Sequence, residues 1–320
     1  LLESLTDIVS HEFFHILTPL GVHSEEVHYF DYNDPKMSQH LWMYEGVTEY
    51  FANLFQVNQD LITNDAFYDR MGEKIENSKN FNDSISFTEL SKNILLEPYK
   101  HDYYNVYLKG ALIGMALDIR LRELSDGEMG LLDLMKKLSE KYGTEKPFED
   151  DQLIPTIVSL TYPEIQQFFD TYVTGSTPIP YDQFLEKVGV TMKKETVNST
   201  SYFINGQVPF IDANPDTGEI FFRESIELNS FLKDLGVKNG DVLKSVDGTE
   251  YSIENVYALI MASQNWQPGE DIIIVVEREG KEVELKGKVT QPTINEIRIR
   301  EADLPEDHPK VELRKSWLKG

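Results

Sequence analysis

Cysteine is absent from this 320-residue chain, so neither a disulfide framework nor a thiolate metal site belongs to it. No run of about 18 apolar residues occurs, which excludes a hydrophobic helical membrane span. Positive charge is scarce: 30 Lys and Arg stand against 55 Asp and Glu, a formal charge of −25. Such a balance repels phosphate backbones and anionic lipid, so nucleic acid and membrane surfaces are poor partners, and peptides or other small molecules are better ones. A signal peptide is also lacking. The chain opens on Leu1 rather than Met, inside a helical pattern, which points to residues upstream and leaves any leader or earlier domain out of view. The length suits two ordinary domains.

What is present begins with a helix. Leu2, Leu5, Ile8, Val9, Phe13 and Ile16 recur at helical spacing, predicting a helix from Leu1 to about Thr18 that Pro19 stops. Within it, His11-Glu12-Phe13-Phe14-His15 sets two imidazoles one turn apart on one face. This pattern can hold a zinc ion and leave Glu12 on the rim as a base for a metal-activated water. Two half-buried histidines on a core helix are the plainer alternative. A second helix, about Ser38 to Phe55, carries Glu45 and Glu49 one turn apart in the apolar and aromatic run Leu41-Trp42-Met43-Tyr44-Glu45-Gly46-Val47-Thr48-Glu49-Tyr50-Phe51. A carboxylate in such surroundings is costly unless paired or metal-bound, and Glu45 as third zinc ligand relieves that cost. Glu49 is then placed to accept from the distal nitrogen of a ligand histidine; a solvated charge is the alternative.

With these residues in view, the chain resembles the glycyl aminopeptidase family of zinc metallopeptidases, gluzincins that carry a PDZ domain near the C-terminus. The resemblance rests on Ser10-His11-Glu12-Phe13-Phe14-His15, on Phe30-Asp31-Tyr32 with Pro35, and on Leu41-Trp42 leading to Glu45-Gly46. It implies His11, His15 and Glu45 as zinc ligands and Glu12 as general base. One departure stands out: where the family usually has a basic stretch after the second histidine, this chain reads Ile16-Leu17-Thr18-Pro19-Leu20-Gly21-Val22-His23. His23, His28 and His40, in or beside the connecting segment, are candidate extra ligands or substrate contacts, with plain solvation as the alternative.

Further along, Asn64 to Asn93 reads as polar helix with one apolar stripe, Phe67, Met71 and Ile75, and is assigned to scaffold. Gly110, Ala111 and Gly114 give the apolar helix Ala111 to Leu124 a small-residue face that allows close approach by a neighbour. A tyrosine entering the site at its start is a candidate oxyanion donor. The Tyr-x-Lys-Gly run is similar to the segment bearing that tyrosine in related zinc aminopeptidases, which implies Tyr107, with Tyr103 and Tyr104 behind it. Helices from Gly130 to Tyr142 and Pro163 to Val173 complete this part.

Near residue 195 the pattern changes to short apolar runs. Gly236-x-x-x-Gly240-Asp241-x-Leu243, a later Asp247-Gly248 turn, a helix Ile253 to Ser263, and strands Asp271 to Glu277 and Glu282 to Val289 joined at Glu279-Gly280-Lys281 look like a PDZ domain of the bacterial protease-associated kind. Such domains take a peptide C-terminus as an added strand; here Asn205-Gly206 is the nearest candidate for the carboxylate cradle, and a purely architectural role stands beside peptide binding. Trp317 in the tail is expected to dock on the body of the protein.

The expectation is therefore an α+β multidomain chain. Residues 1–194 form a mainly helical, thermolysin-like catalytic domain, 195–292 a β-rich PDZ domain and 293–320 a docking tail, with a β domain missing upstream. The resemblance implies one catalytic Zn2+ and an aminopeptidase releasing small N-terminal residues such as Gly or Ala from peptide or protein substrates. Endopeptidase action, or a PDZ-bearing scaffold with a vestigial zinc site, are the alternatives. A cell-envelope or periplasmic setting suits the PDZ attachment, and a cytoplasmic one stays open.

Overall fold

A computed structural model describes residues 2–205, 208–224 and 226–320, the side chains of residues 2–4 excepted. Leu1, the Leu2 side chain and Gly206, which figure in the expectations above, lie outside the described residues. The chain divides into two units, Leu1–Lys193 with Ile297–Gly320, and Lys194–Glu296. In chain order the first unit holds α1 (Leu2–Phe14), α2 (Glu25–His28), a π-helical segment (Trp42–Val47), α3 (Thr48–Asn58), α4 (Asn64–Ser78), α5 (Phe87–Asn93), α6 (Asn105–Leu124), α7 (Leu131–Lys141), α8 (Asp150–Leu160), α9 (Glu164–Tyr172) and α10 (Tyr181–Lys187). The second unit contributes α11 (Ser230–Leu235) and α12 (Val256–Ser263), and α13 (Pro309–Lys319) belongs to the first. Strands β1 (Val190–Asn198) to β10 (Thr293–Glu301) are antiparallel wherever their register is defined, so the fold mixes α-helices with antiparallel sheets.

The first unit is built around α6. Leu112, Ile113, Met115, Ala116, Leu117 and Ile119 are fully buried, as expected of a helix that is apolar around its whole circumference. The π-helical segment, α3, α4, α10 and α13 pack on it. Two glycines set the closest of these approaches: a Cβ on Gly46 would stand 2.3 Å from the Gly110 carbonyl carbon, and one on Gly110 2.8 Å from the Gly46 Cα. The two backbones touch because neither residue has a side chain. One turn on, the Tyr50 ring lies over Gly114, with its Cβ atom 3.3 Å from where a Cβ on that glycine would sit.

α1 departs from expectation in two ways. It ends at Phe14 rather than near Thr18, because the chain tightens into three-residue turns, His15 N–H to Glu12 O, Ile16 to Phe13 and Leu17 to Phe14, ahead of Pro19, which has no N–H to continue a helix. Its apolar repeat also faces outward: Leu5, Ile8, Val9, Phe13 and Ile16 are each more than half exposed. The packed face carries His11 and Phe14 instead, Phe14 lying 5.6 and 5.7 Å from the Phe51 and Phe55 rings.

Helix α13 closes the first unit through Trp317. Its indole N–H donates to the Tyr50 hydroxyl at 2.7 Å, and that hydroxyl donates to Asp118 Oδ2 at 2.6 Å. Asp118 Oδ1 accepts from Arg122 Nε at 3.1 Å and from the Leu131 N–H at 2.7 Å, which completes the pairing of this fully buried carboxylate. Trp317 also packs on Phe67 and Tyr68 at 5.6 and 6.3 Å. Trp317→Ala is expected to lower unfolding stability by about 3–5 kcal/mol, since it leaves a cavity and strips the Tyr50 oxygen of its donor; the shift of the urea midpoint at constant slope measures it.

In the second unit, the sheet runs β4 (Ile211–Ala213), β5 (Ile220–Phe222), β6 (Val242–Val246), β8 (Asp271–Arg278), β9 (Lys281–Lys288), with β7 (Thr249–Glu250) paired to β6. Asp247 and Gly248 join β6 to β7, and Glu279 and Gly280 join β8 to β9, all four at positive φ, as two-residue hairpin turns require. The Gly-x-x-x-Gly-Asp run has a local cause. Gly236 ends α11 at φ +89° and Gly240 sits at +81°, which delivers Asp241 to a buried position. There it takes a bidentate pair from Arg278, both contacts 2.7 Å, and the Lys238 N–H at 2.8 Å. Phe203, Phe210, Phe222, Phe231, Ile272 and Ile274 form a core separate from that of the first unit.

Candidate active site

Three elements of the first unit deliver the site. The last turn of α1 presents His11, the turn that follows presents His15, and the π-helical segment presents Glu45. A π-helical turn widens the helix by one residue, a distortion that recurs at functional positions. Here it replaces the regular helix expected from Ser38, and residues 38–40 lie ahead of it.

The imidazoles stand edge to face, 4.9 Å between centroids. Both turn Nε2 toward one carboxylate oxygen: Glu45 Oε2 lies 3.3 Å from His11 Nε2 and 3.8 Å from His15 Nε2. Ligand atoms of the three residues all lie within 4.8 Å of one another, a set that could hold a metal ion. Donors about 2 Å from a common centre in tetrahedral array stand about 3.3 Å apart, so the spacing fits a single ion. The donor set, two imidazoles and a carboxylate, fits catalytic zinc, which keeps a fourth position open.

The distal nitrogens are engaged as such a site needs. His15 Nδ1 donates to the Thr18 carbonyl at 3.0 Å and His11 Nδ1 to Glu49 Oε2 at 2.9 Å, which leaves both Nε2 atoms aimed at the centre. Burial alone would lower the His11 pKa, but hydrogen bonds and charges from Glu45 and Glu49 carry it up to about 9. Burial would likewise raise Glu49; its bond to His11 and the charge and bond of Lys74 bring it down to about 2. Lys74 donates to Glu49 Oε1 at 2.6 Å and Asn53 to the same oxygen at 3.2 Å.

Glu12 and Tyr107 share a cavity of about 350 Å3 with the triad, Asp7 and Glu49. Glu12 is exposed on its rim. The Tyr107 ring lies 5.7 Å from that of His11. Burial, then the Glu45 charge and a contact with Tyr103, push the phenol above its ordinary range, so it stays a hydrogen-bond donor. Tyr103 and Tyr104 flank it at 6.1 and 6.2 Å.

The remaining histidines have other partners. His23 Nδ1 donates to the Pro19 carbonyl, and its Nε2 meets His28 Nδ1, each at 2.9 Å. His40 is fully buried, with Nε2–H donating to the Asp150 carbonyl at 2.8 Å and Nδ1 accepting the Trp42 indole at 3.1 Å. Burial lowers its pKa to about 4, against the opposing Asp150 bond and the charges of Glu26 and Asp151. A depressed histidine contributes stability that is whole above the unfolded value of 6.5 and lost as pH falls through about 4, here on the order of 3 kcal/mol. His40→Gln is expected to flatten that part of the stability-versus-pH curve, measured by urea unfolding between pH 7 and 4.

Sequence reasoning missed Lys74, Asn53 and the Asp7–Arg70 pair, joined at 2.9 Å. The available signal was spacing: Arg70 and Lys74 are one turn apart on α4, as Asp7 and His11 are on α1.

The triad, the Glu12 carboxylate and the Tyr107 phenol thus line one cavity. The M61 glycyl aminopeptidase family model matches residues 4–113, the stretch that holds every residue of the cavity. Among solved structures it is similar to an aminopeptidase N family protein from Idiomarina loihiensis, at 20% identity and a TM-score of 0.66, over 99% of this chain. That likeness is one of fold, and the chain spans 55% of the other protein's length. No curated protein matches it.

Proposed function

We propose that the first unit is a gluzincin-type zinc peptidase domain acting as an aminopeptidase on small N-terminal residues such as Gly or Ala. The observation that carries this reading is the convergence of His11, His15 and Glu45 on one point, with Glu12 on the rim of the same cavity. In this reading His11 Nε2, His15 Nε2 and a Glu45 oxygen hold the ion, and Glu49 fixes the His11 tautomer. Bound there, zinc supplies Lewis acidity that polarises the scissile carbonyl and acidifies a water. Glu12 takes the proton of the attacking water and returns it to the departing amine. Tyr107 donates its phenolic hydrogen to the oxygen that becomes negative. The second unit, in the same reading, is a PDZ domain: β4 is an end strand of its sheet, the kind of edge to which an extended peptide C-terminus adds.

The test uses zinc-loaded protein with glycyl and alanyl arylamides and their N-acetylated copies. Turnover of the free amines with loss of at least about 1.4 kcal/mol, tenfold, on acetylation is the expected result. Equal turnover of the blocked substrates would make the enzyme an endopeptidase. Tight binding of peptide C-termini with no hydrolysis would make it a scaffold.

A further inference from the structure

Behind the centre stands a cation that the reaction scheme above does not use. Glu49 reaches His11 through Oε2 at 2.9 Å, and its other oxygen, Oε1, is met by Lys74 at 2.6 Å. The lysine and glutamate side chains are only 15% and 21% exposed, so the pair is poorly screened by water and its charge is felt locally. Asn53 adds a donor to Oε1 at 3.2 Å and donates to the Glu49 carbonyl at 2.8 Å, tying the carboxylate to its own helix.

One turn earlier the arrangement is repeated. Arg70 on α4 donates to Asp7 Oδ1 at 2.9 Å and to Asn53 Oδ1 at 3.2 Å, and Gln56 also donates to Asp7 at 2.9 Å. Two cations one turn apart on α4 thus bear on two groups one turn apart on α1, Arg70 on Asp7 directly and Lys74 on His11 through Glu49 of α3.

Resting on the zinc reading above, we propose that Lys74 is a positioning residue for the metal ligand His11, acting through Glu49. A histidine that ligates metal is neutral and provides no counter-charge, whereas Lys74 provides one to Glu49 whether or not an ion is bound. With its position held by Lys74, the Glu49 oxygen keeps the imidazole tautomer and ring plane that aim Nε2 at the centre. Without it, Glu49 is a partly buried carboxylate that gains by turning out to water, and His11 loses its anchor.

The test is a zinc dissociation constant by chelator competition, on wild type, Lys74→Met, Lys74→Arg, Glu49→Gln and the Lys74→Met/Glu49→Gln double variant, with thermal unfolding of the metal-free proteins alongside. Lys74→Met is expected to weaken zinc binding about 10- to 100-fold, Lys74→Arg to restore most of it, and the double variant to bind no more weakly than Glu49→Gln alone. Unchanged affinity in Lys74→Met, or additive losses in the double variant, would overturn the proposal while leaving the zinc reading intact. Wild type that fails to bind zinc would overturn both. If Lys74→Met unfolds, Lys74→Gln takes its place in wild type and in the Glu49→Gln background: weaker zinc binding in the first and no further loss in the second is the expected pair, and any other pair overturns the proposal.

Discussion

Replacing Glu12 by glutamine is expected to lower kcat/KM on a glycyl arylamide by about 10²- to 10⁴-fold while metal content and unfolding temperature stay at wild-type values. Gln keeps the shape and the hydrogen-bonding reach of the side chain but cannot take up a proton. Glu12 is not among the three residues whose ligand atoms converge, so the ion keeps its donors. It is also exposed, and an exposed substitution of this kind changes stability by about 0.5 kcal/mol or less. Activity within tenfold of wild type would remove Glu12 from the chemistry and return the proton transfer to some other group.

The second large effect is expected from a methyl group placed where no side chain reaches the centre. Gly46→Ala puts a Cβ 2.3 Å from the Gly110 carbonyl carbon, 2.4 Å from its Cα and 2.6 Å from its oxygen. Backbone cannot rotate away as a side-chain tip can, so the π-helical segment and α6 must separate by more than an ångström. The direct cost is about 1–3 kcal/mol of overpacking. The functional cost is greater in kind: Glu45 adjoins Gly46, and Tyr107 lies one turn before Gly110 on the other element, so separation pulls the carboxylate and the phenol out of register. A displacement of about 1 Å is enough for a 10²-fold loss. Chelator-competition affinity, kcat and the urea midpoint together check it, and a Gly46→Ala protein with all three near wild type would refute the crossing as the element that sets the site.

These two cases differ in how far the chain alone discloses them. His11, Glu12 and His15 can be singled out in the sequence because helical periodicity makes i and i+4 neighbours, a purely local rule. Glu45 and Glu49 can be suspected from the cost of carboxylates in an aromatic run. Lys74 has only its spacing from Arg70 to mark it: its helix reads as amphipathic scaffold, and a lysine on such a helix is ordinarily solvated. The exposed stripe Leu5, Ile8, Val9, Phe13 and Ile16 shows the same limit from the other side, since periodicity reveals that one face is apolar but not which way it turns. Histidines 23, 28 and 40 looked equivalent as loop residues. Only their surroundings separate them, above all for His40, sealed between Trp42 and Asp150.

The order of residues along the chain was enough, without any coordinates, to single out His11, Glu12, His15 and Glu45 as candidates for metal chemistry, to place the change from long helices to short strands near residue 195, and to mark turns at Asp247-Gly248 and Glu279-Gly280. These are short-range matters of spacing, charge and sterics. Tertiary structure alone decided that Gly46 and Gly110 meet and that Lys74, Glu49 and His11 are joined. Such contacts join residues 25 to 64 positions apart, and what selects them is the close packing of whole helices, a property of surfaces in three dimensions that no local pattern encodes.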